Sequence, residues 1–451
     1  MQEFFHSVTL DKDKCKGCIN CIKRCPTEAI RVRNKKAYII TERCIDCGEC
    51  IRVCPHHAKK AIFDELDVIH RFEYVIALPA PSLMAQFNNL EDVDIVLNAL
   101  IKFGFDDVYE VAKAAEIVSA VTRDLMKSGK LTKPVISSAC PAVTRLIRVR
   151  FPGLIEHVLP LNAPIEVAAR LAKKAAVAKT GLPAEKIGAV FISPCAAKVT
   201  ATKMPLGTQK SAVDAVLAVS EIYPKLFPLM KEVANDEPQI TSEAGRIGLS
   251  WGSSSGESSG LINDNYLAAD GIENVIRVLE DLEDEKFQNV DFIELNACNG
   301  GCVGGVLNVE NPYVAKTKLK RIRKNLPVSM NHVEPGALDL QDVIAWDTPL
   351  EYVPVLKLDD DMMTAMEKMA KIEEITEQLE GLDCGSCGAP SCRALAEDVV
   401  RGLASTDDCI FNFKSNIQTL LNDVHKIEEY IPRPFRAGQK EKKEGGSHDA
   451  D

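Results

Sequence analysis

Sixteen cysteines in 451 residues fall into groups of four, and these groups constrain the fold more than any other feature of the chain. Four thiolates hold one iron–sulfur cube, so sixteen cysteines suggest four clusters. Disulfides are one alternative, but they suit small secreted domains better than a chain of this length. Zinc is another, although structural zinc usually shows two separated pairs of ligands. The cysteines therefore predict a protein that moves electrons.

Near the N-terminus one spacing occurs twice, as CKGCINCIKRCP and then as CIDCGECIRVCP. The run C-x2-C-x2-C-x3-C-P is typical of two-cluster bacterial ferredoxins, in which the fourth cysteine binds the other cube. His56 and His57 are expected to be surface residues, because the cysteines already complete the ligand count. The expected ligand sets are Cys15, Cys18, Cys21 and Cys54 for one cube, and Cys44, Cys47, Cys50 and Cys25 for the other.

A second cysteine pattern near the C-terminus, C-x2-C-x4-C-x16-C, consists of Cys384, Cys387, Cys392 and Cys409. It resembles the small 4Fe–4S module of corrinoid iron–sulfur proteins and of some subunits of membrane electron-transfer complexes. Glycines between the cysteines free the backbone to approach a cube and to present N–H groups to its sulfurs. Zinc remains an alternative here. The expected role is a third relay cluster, or a docking site for an electron partner.

The remaining four cysteines are far apart in sequence: Cys140, Cys195, Cys298 and Cys302. Thiolates on three separate segments imply a buried site that the fold assembles. From Tyr74 to about Val343, short apolar runs at 75–78, 135–137, 187–192 and 291–295 alternate with helical patterns. This alternation predicts βαβ units and parallel sheets. Several of the four cysteines closely follow a predicted strand, where open α/β sheets bind ligands.

The segments around these cysteines resemble three motifs of the iron–iron (FeFe) hydrogenase family, TSCCP, MPCxxK and E-x-M-A-C-x-x-G-C-x-x-G-G. This chain reads SSACP at 137–141, SPCAAK at 193–198 and ELNACNGGCVGG at 294–305. The resemblance covers about residues 1–345 and includes PAP at 79–81. It implies a central α/β H-domain with two lobes of parallel sheet. An α+β two-cluster ferredoxin would precede this domain, and a small helical 4Fe–4S module would follow it.

The resemblance also implies a cofactor, the H-cluster, in a site that includes Pro81. Its 4Fe–4S cube would be held by the four central cysteines, with Cys302 bridging to a two-iron site that carries CO, cyanide and a dithiolate amine. Lys198 would donate a charge-assisted hydrogen bond to a cyanide ligand. The alternative interpretation of Lys198 is an ordinary surface lysine.

Three of the departures from the family's motifs bear on the chemistry of the two-iron site. Ala139 stands where the family has a cysteine that relays protons, and Ser193 and Asn296 replace two methionines beside the two-iron site. The stretch 115–122 offers Glu116 but no match for the family's usual pair of glutamates. Proton supply is therefore expected to be impaired or rerouted, which favours a slow enzyme or an H2 sensor. The sensory branch of the family often carries a C-terminal PAS domain, and no region of that size follows Cys409.

The sequence predicts five segments. GSSSGESSG at 252–260 is expected to be a flexible loop, and the tail after Tyr430 is expected to be disordered. The Met-rich pattern at 360–382 indicates a helix that packs on its own domain or binds a partner. The segments are a two-cluster ferredoxin at 1–68, an H-cluster domain at 72–345, a connector and helix at 346–382, a 4Fe–4S module at 383–412, and a helix with a tail at 413–451.

Charge and hydropathy narrow the function. A net charge of −11 argues against nucleic acid as a partner. With no long apolar run and no expected signal peptide, the predicted location is the cytoplasm. The leading hypothesis is an FeFe hydrogenase of low turnover, with H2 sensing as one possible role. The alternatives are an electron-transfer subunit and a hydrogenase-like protein without the di-iron site. Expected partners are H2 and protons, a ferredoxin or other redox protein or larger redox complex, a signalling kinase or phosphatase, and a second copy in a homodimer.

Overall fold

The computed structural model describes residues 4–236, 238–239, 241–331 and 340–430, with side chains except at 340–341 and 427–430. The predicted disordered tail lies outside these residues. Contacts divide the chain into two compact units, Met1–Lys357 and Leu358–Asp451. The division falls inside the predicted connector and helix at 346–382, and the segments 1–68 and 72–345 share the first unit. Among the described residues, no helix is both long enough and apolar enough to cross a membrane.

Eleven strands are present in the described part of the chain. They form two antiparallel pairs, β1 with β4 and β2 with β3, and two parallel sheets, in the orders β6–β5–β8–β9 and β10–β11–β7. The strands are β1 (Val8–Leu10), β2 (Ile30–Arg33), β3 (Lys36–Ile39), β4 (Lys59–Ala61), β5 (Tyr74–Pro79), β6 (Asp107–Val108), β7 (Val135–Ile136), β8 (Ile187–Ser193), β9 (Ala215–Ala218), β10 (Tyr266–Asp270) and β11 (Phe292–Asn296).

Seventeen α-helices are described. Those in the first unit are α1 (Asn20–Lys23), α2 (Glu49–Arg52), α3 (Pro81–Met84), α4 (Asp94–Phe103), α5 (Val111–Ser128), α6 (Pro141–Arg150), α7 (Pro164–Thr180), α8 (Ala196–Lys203), α9 (Val219–Asn235), α10 (Arg246–Ser250), α11 (Gly256–Gly260), α12 (Ile272–Glu283), α13 (Pro312–Ile322) and α14 (Leu340–Ile344). Those in the second unit are α15 (Met362–Gln378), α16 (Cys392–Val400) and α17 (Ile410–Tyr430).

The four-stranded sheet is covered by helices on both faces. Every residue of β8 is buried, which is typical of a parallel strand between two helical layers. Side chains alternate along β8, so Val190 and Ile192 join one core with α4 and α9, while Ala189 and Phe191 join another with α5 and α7. Gly188 is required at its position, because an added Cβ would lie 2.2 Å from the Phe72 ring. The predicted α/β architecture is confirmed.

The three-stranded sheet belongs to the other lobe. Its core contains Ile293 and Leu295 of β11 and Ile136 of β7, packed against α6 and α12. The strands β5, β7, β8 and β11 match the predicted runs to within two residues. Their carboxyl ends lead directly into the segments that carry Pro81 and the four central cysteines.

The N-terminal repeat forms two similar halves. Each half has one short helix, α1 or α2, inside its cysteine run, and the chain then enters a strand, β2 or β4. The small core of this region includes Cys15, Cys21 and Cys50 together with Ile22 and Ile30. The fold therefore reproduces the internal symmetry of the sequence.

In the second unit, the Met-rich helix α15 packs on α16 through one face. Ile372 is buried, and Leu379 joins a core with Leu395 and Cys409. Met362 and Met366 on α15 stay exposed, at 77% and 63%. All four methionines of α15 are at least 40% exposed, so the methionine pattern is open surface and the packing is done by Ile372 and Leu379.

The prediction of a flexible loop at 252–260 is wrong. This segment is a buried turn followed by the short helix α11, and Ser253, Ser254 and Ser258 are all buried. The Ser254 N–H donates to the Gly300 carbonyl at 2.9 Å, and an added Cβ at Gly301 would lie 2.4 Å from the Ser254 nitrogen. Small residues here serve close packing between two segments.

Candidate active site

The four central cysteines converge where the two parallel sheets present their carboxyl ends. Cys140 stands at the N-terminus of α6 and Cys195 at that of α8, while Cys298 and Cys302 follow β11. The Cys298 thiol interacts electrostatically with the other three. Burial raises the pKa of Cys195 to about 11 and that of Cys298 further. Thiols in this state ionise readily only when a metal binds them, and four of them fit the ligand set of a 4Fe–4S cube.

Lys198 lies beside these thiols on α8. Its Nζ is 3.4 Å from the Sγ of Cys302. Burial lowers the pKa of Lys198, but the charges of Cys302, Cys195 and Cys140 outweigh that effect and raise it well above the usual value. Lys198 is only partly exposed, so it is not an ordinary surface lysine.

A cavity adjoins Cys140 and Cys302, and we call it the central cavity. Ala139 and Asn296 lie on its wall. Ser193 is not among the lining residues, because its hydroxyl accepts from the Cys195 N–H at 3.1 Å and donates to the Cys195 carbonyl at 3.0 Å. Other lining residues are Ala80, Pro81, Phe191, Pro194, Lys198 and Trp251.

Two buried carboxyl groups line the same cavity, and the sequence analysis assigned a role to neither. Glu257 is 5% exposed and accepts a 2.6 Å hydrogen bond from the Ser137 hydroxyl. Burial, and then the charge of Glu294, raise the pKa of Glu257 to about 8. Burial also raises the pKa of Glu294, against the effect of its donors. Those donors are the N–H groups of Ser255 and Ser258, the Ser258 hydroxyl and the Asn296 amide.

These donors decide which carboxyl group holds a proton. Hydrogen bonds to a carboxylate favour its charged form, and Glu294 receives four of them within 3.0 Å. Among the residues that the structure describes, the Ser137 hydroxyl is the one donor to the Glu257 carboxyl group. Glu257 is therefore the member of the pair that is protonated near neutral pH. A sequence signal did exist, since Glu257 is the single ionisable residue in a Gly- and Ser-rich run.

Glu116 does not line the central cavity. Its carboxylate accepts from the N–H groups of Gly245, Met330 and Asn331 and from the Asn331 amide, all within 3.0 Å. It therefore anchors two loops to α5.

Two smaller cavities lie among the N-terminal cysteines. The outer cavity is lined by Cys15, Cys18, Cys21 and Cys54, and the inner cavity by Cys25, Cys44, Cys47 and Cys50. Backbone N–H groups already point at some of these sulfurs. Ala58 donates to the Cys54 Sγ at 3.3 Å and Ala29 to the Cys25 Sγ at 3.2 Å, as expected around bound cubes.

The inner cavity adjoins the central thiols. Ile45 and Cys47 belong to the same apolar cluster as Cys140 and Cys195. Arg52, next to the inner cysteines, donates to the Gly304 carbonyl at 3.0 Å. These contacts place the inner cavity beside the central site.

The C-terminal cysteines are gathered around α16. Cys409 is buried in the same small core as Cys387 and Cys392, whereas Cys384 is exposed. Gly385 and Gly388 take positive φ angles of 78° and 81°, which allow the tight turn between the cysteines. All sixteen cysteines lie within the described residues, and all are thiols rather than disulfides.

The fold and the grouped thiols define an iron–sulfur redox protein. The family described as iron only hydrogenase large subunit, C-terminal domain, matches residues 73–258 and 234–306, which together exceed half of the chain. A 4Fe-4S dicluster domain family matches residues 7–55, and an Fe-S cluster family matches residues 379–411. The chain therefore belongs to the iron-only (FeFe) hydrogenase family, and that prediction is confirmed. The likeness to the sensory branch stays a prediction.

Individual relatives are distant. Iron hydrogenase 1 of Clostridium pasteurianum is 22% identical over 393 residues, which cover 71% of this chain and 68% of that protein. The periplasmic [Fe] hydrogenase large subunit of Nitratidesulfovibrio vulgaris is 29% identical over 212 residues, 43% of this chain and 50% of that protein. A solved FeFe hydrogenase from Chlamydomonas reinhardtii is 15% identical with a TM-score of 0.46, covering 64% of this chain and 97% of that one.

Proposed function

We propose that this chain is an FeFe hydrogenase that interconverts H2 with protons and electrons at low turnover. The observation that carries the proposal is the central cavity beside the four convergent thiols, since Cys140, Cys302, Lys198 and two buried carboxyl groups line it. The four thiols would hold the cube of the H-cluster, with Cys302 as the bridge to the two-iron part. When bound, the two-iron part would supply the site at which H2 binds and is split.

The protein's own residues would shape this site. Lys198 keeps a positive charge beside Cys302 and offers N–H donors to an anionic ligand in the cavity. Pro81, Phe191 and Trp251 form apolar parts of the wall, which limit access of water. Asn296 is held by its hydrogen bond to Glu294, so its amide is fixed at the edge of the cavity.

Glu257 would take the place of the missing relay cysteine. It lines the cavity together with Ala139, and the Ser137 hydroxyl that it contacts also accepts from the Ala139 N–H at 3.2 Å. A carboxyl group whose pKa lies near the working pH can both accept and return a proton. In this proposal Glu257 holds the proton, because burial and then the charge of Glu294 keep its pKa high.

Electrons would pass between the central site and the surface through the inner and outer cubes. The C-terminal cube would offer a separate contact for a redox protein. A ferredoxin, a signalling kinase or phosphatase, and a second copy of the chain remain the predicted partners. The cytoplasmic location also stays a prediction, since one relative is named as periplasmic.

The test is maturation of the full chain with the di-iron cofactor, followed by infrared spectroscopy and an H2 assay. We expect CO and cyanide bands together with slow H2 turnover. Bands without turnover would favour a purely sensory role. If the protein contains iron for all four cubes but shows no CO or cyanide bands, the proposal is overturned and an electron-transfer subunit is favoured.

A further inference from the structure

The two halves of the N-terminal repeat differ at one buried position. The first half continues as CPTEAI and the second as CPHHAK, so Ile30 and Lys59 are equivalent in the repeat. Both side chains are buried, at 2% and 3% exposure, and both residues lie in the strands that follow the cysteine runs. A lysine therefore occupies a site where the sister half has an apolar residue.

The Lys59 ammonium faces the cysteines. Lys59 lines the outer cavity, whereas Ile30 lines the inner one. Its charge acts on the thiols of Cys21 and Cys54 in the outer set, and also on Cys25 and Cys50 in the inner set. Within the described part of the chain, the Nζ atom is buried and has no hydrogen-bond partner.

A buried cation without a partner is costly unless an opposite charge compensates it. A cube held by four thiolates is anionic, and it gains one further negative charge when it is reduced. A nearby ammonium therefore stabilises the reduced cube more than the oxidised one. Charge close to a cube is one of the factors that set its reduction potential.

We propose that Lys59, which lines the outer cavity and not the inner one, raises the reduction potential of the outer cube more than that of the inner cube and so places it above the inner one. One electron then passes from the reduced inner cube to the oxidised outer cube. The transfer oxidises the inner cube and reduces the outer one, and no bond forms or breaks. Lys59 acts through the cube and not on a substrate, so it is a positioning residue rather than a catalytic one. The inference rests on the proposed electron relay. It gives that relay a direction, outward from the central site, which favours H2 uptake or detection over H2 production.

The experiment uses the full chain with its iron–sulfur cubes and without the di-iron cofactor, in a redox titration followed by electron paramagnetic resonance. Lys59→Met removes the charge, and Lys59→Ile copies the sister half. The matched control is Lys60→Met, because Lys60 is an exposed neighbour that pairs with Asp11. We expect the gap between the two N-terminal potentials to narrow in both Lys59 variants. A tenfold change in the reduced-to-oxidised ratio corresponds to about 59 mV for one electron.

The inference would be overturned if Lys59→Met contains enough iron for both cubes and the difference between their reduction potentials is unchanged. A gap that narrows equally in Lys60→Met would also overturn it, because the effect would then be that of surface charge. If the Lys59 variants lose a cube, Lys59→Arg decides the question. Recovery of the cube and the gap by arginine supports the role of charge, and no recovery contradicts it.

This result is independent of the proposed H2 chemistry. The titration does not involve the di-iron cofactor, so the infrared test of the central site can fail while the potentials remain separated. In that case Lys59 would set the reduction potential of the outer cube in an electron carrier that is not a hydrogenase.

Discussion

The Ser137 hydroxyl donates a 2.6 Å hydrogen bond to the carboxyl group of Glu257, across 120 residues of sequence. This contact joins the buried segment around α11 to the SSACP motif at 137–141. It brings a carboxyl group to the cavity wall that also contains Ala139, which stands at a cysteine position of the family's motif.

Glu257→Gln should lower H2 turnover by about 10²-fold or more, because positioned acid–base groups contribute on that scale. The glutamine keeps the shape and a hydrogen-bonding oxygen for Ser137 but cannot carry the proton. Turnover with an artificial electron donor is the measurement, and infrared bands check that the cofactor is still bound. The matched control is Glu243→Gln, since the Glu243 side chain is 64% exposed. Equal rates in the wild type and Glu257→Gln would rule out this proton carrier.

The pH dependence of stability should also report Glu257. Its folded pKa is raised from 4.5 to about 8, so between these values the folded state holds more protons than the unfolded state. Stability must then fall as pH rises through this window. Both proteins are compared without the di-iron cofactor. The Tm of Glu257→Gln minus the Tm of the wild type should increase from about pH 5 to about pH 8, because only the wild type loses the stability linked to this proton. A constant difference across the window would show that Glu257 does not titrate as argued.

Ala139→Cys should raise H2 turnover, because a thiol at this position can carry a proton. The sharper version combines two changes, Ala139→Cys and Glu257→Gln. If both groups serve the same proton transfer, the cysteine should recover much of the rate lost in Glu257→Gln alone. Ala139→Ser is the matched control for volume. A double variant as slow as Glu257→Gln would mean that the thiol does not reach the reacting proton.

The sequence predicted those parts of the site that depend on local spacing. Cysteines three or four residues apart must lie together, so each N-terminal run could be grouped from its spacing. In the C-terminal group, Cys409 follows Cys392 by 17 residues, and its assignment needed the resemblance to a known module. Cys195 and Lys198 could be placed together because they are three residues apart at the start of one helix. Strand ends gave the approximate position of Cys140 and Cys298, since parallel strands bring their carboxyl ends to one edge.

The rest of the site depends on hydrogen-bond partners that the spacing of the cysteines does not encode. Glu257 lies in a run of Gly and Ser that has the composition of a flexible loop, yet Glu294 accepts from the N–H groups of Ser255 and Ser258 and fixes it. Ser193 was expected near the reacting atoms, but its hydroxyl is used locally by the backbone of Cys195. In both cases the partner of a polar group decided the outcome, and the sequence does not show that partner.

Cys302→Ala should remove the two-iron part of the H-cluster while leaving the N-terminal and C-terminal cubes in place. Cys302 lines the central cavity and contacts Lys198, but it lines neither the outer nor the inner cavity. The variant should therefore lose its CO and cyanide bands and keep the resonance signals of the other cubes. Cys18→Ala is the matched control, because it alters a thiol of the outer set and should spare the infrared bands. Bands that persist in Cys302→Ala would show that this thiol is not the bridge to the two-iron site.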